Sequence, residues 1–227
     1  PFPKQYTILS NKWGAVHFEG SGFFICTRRK RLLWEGAFLY PHHPPQSKHT
    51  MAKAHPKGGG NSLLFHQAGS VCQKLGRHRD ITVITGILNP GEASGTPLIR
   101  EAVKQATGLS ILDCPPGSSC PVMESAMDAD YCLLVAEPTA FGLHNFRMVY
   151  ELSSLLGKKC GVLINKQDAP YEPLERFCRE EGLPILERIP FDMEAAECIA
   201  AGEIAAEKLP RYRELFTRLL GKIGGGA

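Results

Sequence analysis

Residues 109–227 alternate short apolar runs with amphipathic helical patterns, and this alternation constrains the fold most. The runs that have the length of buried strands are residues 109–113, 131–138, 160–166 and 184–190. The helical patterns between and after them cover residues 141–156, 172–181, 193–206 and 211–220. Apolar strands that alternate with helices are typical of a parallel sheet covered on both faces. We therefore expect an α/β fold with a doubly wound, mostly parallel sheet.

The pattern extends upstream to about residue 80. Residues 81–87 alternate and are rich in β-branched side chains, which predicts a further strand. A helix is predicted over residues 97–106, because Thr96 can cap it and Pro97 suits its first position. Apolar residues make up 43% of the chain, enough for a sizeable core.

Charge divides the chain near residue 79. Residues 1–78 hold eleven Lys and Arg against two acids, a net charge of +9, whereas residues 79–227 have a net charge of −6. Residues 41–60 are rich in Pro, His, Lys and Gly without periodicity. We expect an irregular basic region over 1–78, with no stable fold in residues 41–78, and an α/β domain over 79–227, which the resemblance described below implies is nucleotide-binding.

Three interpretations of residues 1–78 stay open. The first is a degenerate remnant or an out-of-frame segment, since the composition changes abruptly where the regular pattern begins. The second is a functional basic arm for an acidic partner or nucleic acid, although we do not expect nucleic acid to be the main partner. The third is a metal site formed by Cys72 and the histidines before and after it in the sequence. The spacing of these residues along the chain fits no common zinc pattern.

The eight cysteines contain no C-x-x-C pair, and several lie inside apolar runs, as buried free thiols do. This usage indicates a reducing compartment, so we expect a cytoplasmic protein. No apolar run is long enough to cross a membrane.

Asp113 and Gly117 form the strongest local signal for a ligand site. An acid at the carboxyl end of a buried parallel strand points into the crevice where such sheets bind ligands, and it can hold Mg²⁺ through water. Gly117 lets a backbone N–H approach a phosphate oxygen. The alternative is that Asp113 caps the following helix.

Asn165 and Asp168 follow the third strand of the alternating region. An amide and a carboxylate there can recognise the edge of a purine. Their spacing, N-K-x-D, also matches the guanine-recognition motif of GTPases, and the alternative is a polar turn closed by Pro170.

Several motifs in order resemble the MinD/ParA/Mrp-type P-loop ATPases, in particular the subgroup with an inserted [4Fe–4S] ferredoxin domain. The motifs are NPGEASGTPLIR at residues 89–100, DCPPGSSCPV at 113–122, VAEPTAFGLH at 135–144, Asn165, and IPFD at 189–192. The resemblance covers residues 80–210. It implies an incomplete P-loop NTPase-like fold and a homodimer around ATP and Mg²⁺, with an iron–sulfur or redox protein as a further partner.

The resemblance also implies roles for particular residues. Asp113 matches the Walker B acid that holds Mg²⁺ through water, and Gly117 lies in the second switch. Asn165, with Asp168, would contact the base, and Pro190 to Asp192 match the loop that closes over it. Cys120 matches a cluster-ligating cysteine of a related iron protein, although a small buried residue before Pro121 is the alternative we favour.

The departures from the family bear on activity. No G-x-x-x-x-G-K-[ST] phosphate loop occurs, and residues 57–62 (KGGGNS) lack its second lysine. The ferredoxin cysteine spacing is also absent. The sequence therefore predicts an incomplete ATP-binding protein whose ATPase activity is open. Its alternatives are a non-hydrolysing interaction module and a GTP-binding protein.

The missing phosphate-loop strand leaves a slot in the expected sheet, between the strands ending at Asp113 and Pro138. Those two strands would pair directly, or an N-terminal segment such as residues 18–26 would fill the slot, or the exposed edges would associate between chains.

Overall fold

The computed structural model describes residues 5–10, 23–28, 64–68, 71–78, 81–88, 95–106, 109–114 and 117–225. Nine strands and seven helices lie in these ranges. The strands are β1 (Gln5–Ser10), β2 (Phe23–Arg28), β3 (Leu64–Ala68), β4 (Val71–His78), β5 (Ile81–Leu88), β6 (Ser110–Cys114), β7 (Tyr131–Ala136), β8 (Lys159–Ile164) and β9 (Ile185–Arg188). The helices are α1 (Thr96–Gln105), α2 (Cys120–Met127), α3 (Ala140–Leu155), α4 (Glu172–Glu180), α5 (Met193–Ala200), α6 (Ala205–Lys208) and α7 (Pro210–Gly225).

The described strands form one sheet in the order β3-β4-β5-β1-β6-β2-β7-β8-β9. Only β7–β8 and β8–β9 pair in parallel, and the other six pairings are antiparallel. The fold is α/β, but mostly parallel pairing holds for β7 to β9 only and the described sheet as a whole is mixed. The reason is that β1, β2 and β4 run opposite to the other six described strands.

Helices cover both faces of the sheet. Helices α1 to α4 pack with one set of strand side chains, including Leu112, Leu134 and Ile164. Helices α5 to α7 pack with the alternate set, including Leu133 and Leu163. Because β5 to β9 follow one another across the sheet without a reversal of order, the fold has the expected layers but not the doubly wound order among these strands.

Strand β2 fills the slot between β6 and β7. Phe24 lies opposite Cys114 on one side and opposite Leu134 on the other. Of the three arrangements expected for this slot, the structure has the N-terminal segment, with residues 23–28 rather than 18–26 paired antiparallel on both sides. An inner strand paired on both sides leaves no row of unsatisfied backbone groups in the sheet.

Two expectations about secondary structure were wrong. Residues 64–68 and 71–78 form β3 and β4 rather than lacking a fold, while residues 41–63, 69 and 70 lie outside the described ranges. The helix predicted over residues 193–206 is divided into α5 and α6, because Gly202 takes a positive φ of 77° after α5 ends. The division of the chain at residue 79 stays a prediction, and β4 and β5 on its two sides pair in the same sheet.

Helix α7 protects the outer side of β9. Lys222 donates a hydrogen bond to the carbonyl oxygen of Leu186, and Arg218 and Lys222 form ion pairs with Glu187 at 3.4 and 3.5 Å. Among the described helices, none is both long and apolar enough to cross a membrane.

Candidate functional site

The carboxyl ends of β6, β7, β8 and β9 lie along one edge of the sheet. Strands β7, β8 and β9 pair in parallel, and β6 shares their direction because both β6 and β7 are antiparallel to β2. Asp113 lies near the end of β6, and Asn165 directly follows β8. In sheets of this kind ligands bind beyond the carboxyl ends of the strands.

Asp113 is partly buried, and burial raises the pKa of its carboxyl group to about 7. Burial destabilises the ionised form of this carboxyl group. A cation or a hydrogen-bond donor that binds beside it would stabilise that ionised form. Gly117 follows with a φ of 92°, and no heavy atom of the described residues beyond its chain neighbours lies within 4 Å of the position that a Cβ would occupy. The backbone here is therefore open to close approach by a ligand.

Asn165 is 5% exposed, and its backbone N–H donates a hydrogen bond to the carbonyl oxygen of Ala136 at 2.8 Å. This bond extends the β7–β8 pairing past the last strand residue. The next residue, Lys166, has a φ of 55°, which turns the chain away from the sheet immediately after Asn165.

Glu137 and Lys166 form an ion pair at this edge, and we did not assign a role to either residue from the sequence. Lys166 Nζ lies 2.9 Å from Glu137 Oε1. This oxygen atom is buried, and no described residue donates to it with hydrogen-bond geometry. The sequence does mark Glu137, because an acidic residue follows the apolar run of β7 much as Asp113 lies near the end of β6. The pair places both charges beside Asn165.

The turns after β8 and β9 are joined by backbone hydrogen bonds. Gln167 N–H donates to the carbonyl oxygen of Ile189 at 2.9 Å, and Ile189 N–H donates to that of Ile164 at 2.8 Å. Asp168 and Pro190 are exposed on these two turns. The structure thus places the predicted base-contacting residues on adjacent turns.

Asp192 has a structural role in the described chain. Its carboxylate accepts a hydrogen bond from Ala195 N–H at 3.2 Å, which caps α5, and it pairs with Arg211 at 2.8 Å. Burial alone would raise the pKa of Asp192, but the hydrogen bonds from Arg211 and Ala195 outweigh it and the pKa is lowered. Arg211 also contacts Glu194, so it holds the start of α5.

Cys120 is the first residue of α2 and is exposed, so the interpretation of it as a small buried residue was wrong. Pro121 follows it as the second residue of the helix. Within the described ranges, no three His, Cys, Asp or Glu side chains are grouped to hold a metal ion. The thiol of Cys120 is therefore not part of a described cluster site.

The structure brings Asn165, Asp168 and Pro190 together and keeps Asp113 apart from them. Strands β2 and β7 lie between β6 and β8, so Asp113 and Asn165 are separated by three strand spacings, or about 14 Å. That separation is compatible with an extended ligand such as a nucleotide, whose phosphates and base contact different strands.

No protein-family model and no solved structure matches the chain. It is similar to two proteins of Methanocaldococcus jannaschii. The uncharacterized protein MJ0579 is 27% identical over 131 residues, which cover 53% of this chain and 43% of that protein. The uncharacterized protein MJ0578 is 24% identical over 150 residues, which cover 62% of this chain and 50% of that protein. The chain thus spans about half the length of the curated relatives it matches.

Proposed function

We propose that this chain is an incomplete nucleotide-binding protein related to the MinD/ParA/Mrp-type P-loop ATPases that carry a [4Fe–4S] ferredoxin domain. The observation that carries the proposal is that Asp113 and Asn165 lie at the same edge of the sheet, where strands β6 to β9 end. The carboxyl group of Asp113 is desolvated, and Asn165 is buried. The motif order that resembles the family supports it further.

In this proposal the ligand is Mg-ATP. Asp113 would hold Mg²⁺ through a water molecule, since a carboxylate oxygen is a ligand that this ion prefers. Gly117 would offer its N–H to a phosphate oxygen from the open backbone at φ 92°. Asn165 would contact the base, with the turn at Pro190 beside it.

The described residues do not fit a [4Fe–4S] cluster. Such clusters take four cysteine thiolates, and Cys120 is an exposed single thiol with no described group of ligands around it. An iron–sulfur protein therefore enters the proposal as a partner, together with a second copy of this chain in a homodimer.

A GTP-binding function is the second candidate. Asp168 is exposed in the same turn as Asn165, and the hydrogen bond from Gln167 to Ile189 holds that turn in place. A carboxylate so placed can accept hydrogen bonds from the N–H groups of guanine. A non-hydrolysing interaction module is the third candidate.

Binding measured by ligand-observed NMR distinguishes the candidates, because it detects weak complexes. Without a phosphate loop we expect Mg-ATP to bind with a Kd on the order of millimolar, or about −4 kcal/mol. Asn165→Ala should abolish the base-dependent signal, and Asp113→Asn should abolish the dependence on Mg²⁺. Asp128→Asn, which changes an acid after α2 at the other edge of the sheet, is the matched control and should change neither.

The outcomes separate clearly. Stronger binding of Mg-GTP that is lost in Asp168→Ala would favour the GTP-binding candidate. The absence of a signal from both nucleotides at 10 mM, a concentration roughly ten times the expected Kd, would leave the interaction module.

A further inference from the structure

Two cysteines lie side by side in the sheet at the edge opposite the proposed nucleotide site. Cys132 near the start of β7 and Cys160 near the start of β8 are register partners in the parallel pairing. Both pack with the cluster formed by α1 to α4, so their side chains are on one face of the sheet. The Cys160 thiol donates a hydrogen bond to the carbonyl oxygen of Lys158 at 3.4 Å.

The spacing of these residues suits a covalent bond between them. Neighbouring strands are about 4.8 Å apart, and the Cα atoms of disulfide-bonded cysteines are usually about 4.4–6.8 Å apart. Because the two residues are register partners with side chains on one face, closing the bond requires rotation of the side chains and no change of register. Neither cysteine forms a disulfide in the described structure.

Access to the two thiols differs. Cys132 is fully buried, whereas Cys160 is partly exposed. The neighbouring Cys132 thiol, and then burial, raise the pKa of the Cys160 thiol. A small fraction of thiolate makes attack on an oxidant slow, so the pair stays reduced unless an oxidant is supplied in excess.

We propose that Cys132 and Cys160 are a modification site, at which a small organic disulfide converts two neighbouring thiols into an intramolecular disulfide. The thiolate of Cys160 attacks the small disulfide, forms a mixed disulfide and releases one small thiol. The Cys132 thiol, after losing its proton to water, attacks the Cys160 sulfur and releases the second small thiol. Two protein thiols are oxidised, and one small disulfide is reduced to two thiols.

Strand β2 supplies the matched control. Cys26 of β2 pairs in register with Cys132, on the side of β7 away from β8. Cys132 therefore has a cysteine opposite it on each of the two neighbouring strands. Cys160 is the proposed partner because it packs with the same cluster as Cys132 and lies beside it in the parallel pairing. Cys178, a buried thiol on α4, is a second control, since it is not in register with either cysteine.

The experiment is incubation of the reduced full chain with excess oxidised glutathione, followed by acid quenching, alkylation and peptide mass spectrometry. We expect a cross-linked pair of peptides containing Cys132 and Cys160, the loss of these two thiols beside a mixed disulfide on exposed Cys120, and full recovery after reduction. Cys26→Ser and Cys178→Ser should form the same cross-link. Cys132→Ala should stop at glutathione on Cys160, and Cys160→Ser should leave Cys132 unmodified.

Circular dichroism of each variant establishes that it is folded before oxidation. The cross-linked peptides are also identified in the wild-type chain, so the result does not depend on the variants alone. A cross-link between Cys26 and Cys132, or glutathione on Cys160 while Cys132 stays reduced in the wild-type chain, would overturn the proposal.

Discussion

At the scale of single residues, Asp113 links stability to pH. Burial raises its pKa from 3.8 to about 7, so between these values the folded chain keeps a proton that the unfolded chain releases. The free energy of unfolding should therefore fall as the pH rises from about 4 to about 7. Asp113→Asn cannot release this proton, and we expect it to be the more stable protein above pH 7, by at most about 4 kcal/mol.

Urea unfolding of both proteins between pH 4.5 and 8 measures this difference. Because the residue is partly exposed, the observed gain should be below that maximum. A constant difference across this range would show that Asp113 ionises normally in the folded chain.

Gly142 is required by the close packing at the start of α3. A Cβ at this position would lie 2.3 Å from the backbone oxygen of Glu137 and 3.0 Å from the hydroxyl oxygen of Thr139. We expect Gly142→Ala to lower the free energy of unfolding by about 1–3 kcal/mol, because the backbone after β7 has to move. Gly221→Ala on α7 has open space around it and should raise stability by about 0.5–1 kcal/mol. Urea denaturation of the two variants tests the opposite signs, and a loss of stability in both would contradict the steric explanation.

At the scale of elements, strand β2 should behave as an inner strand. Its residues pair with β6 on one side and β7 on the other, so both sides of its backbone take part in the sheet. We expect the hydrogen-bonded amides of residues 23–28 to exchange with deuterium as slowly as those of β7. Hydrogen–deuterium exchange with peptide resolution measures this at two protein concentrations. Fast exchange, or protection that appears only at the higher concentration, would favour association through an open edge.

The elements that could be predicted from the sequence are those with a strong pattern. Helix α3 spans Ala140–Leu155 against a prediction of residues 141–156, since its apolar residues recur at helical spacing and Gly157 stops it. Helix α2 was not predicted, because its eight residues are too short to show a period. The antiparallel position of β2 also could not be read from its pattern, since periodicity carries no information on strand direction.

The candidate site was predictable in part for the same reason. Asp113 and Asn165 were found because a polar residue at the end of an apolar run is a visible signal. The ion pair of Glu137 and Lys166 depends on the register of two strands, which no local pattern gives. The capping of α5 by Asp192 and its contact with Arg211 likewise need the tertiary arrangement.

At the scale of the whole molecule, we expect this chain not to turn over ATP. Asp113, Gly117 and Asn165 offer a metal ligand, one N–H and a base contact, but no lysine and no series of N–H groups for the transferring phosphoryl group. That electrostatic stabilisation is usually the largest contribution to catalysis of this kind. A phosphate-release assay with Mg-ATP and Mg-GTP measures turnover, with Asp113→Ala as the control. Turnover lost in the control would reveal a phosphate site elsewhere in the chain, whereas turnover unchanged in the control would indicate a contaminant.

The position of β2 in the middle of the sheet also has a consequence for the rate of folding. Strand β2 is made early, but Cys114 and Val135, which lie opposite its residues, follow much later in the chain. The loops that must close before these contacts form are long, and such non-local pairing slows folding. Until β2 docks, the inner edges of β6 and β7 are exposed to other chains, so refolding yield should fall as protein concentration rises.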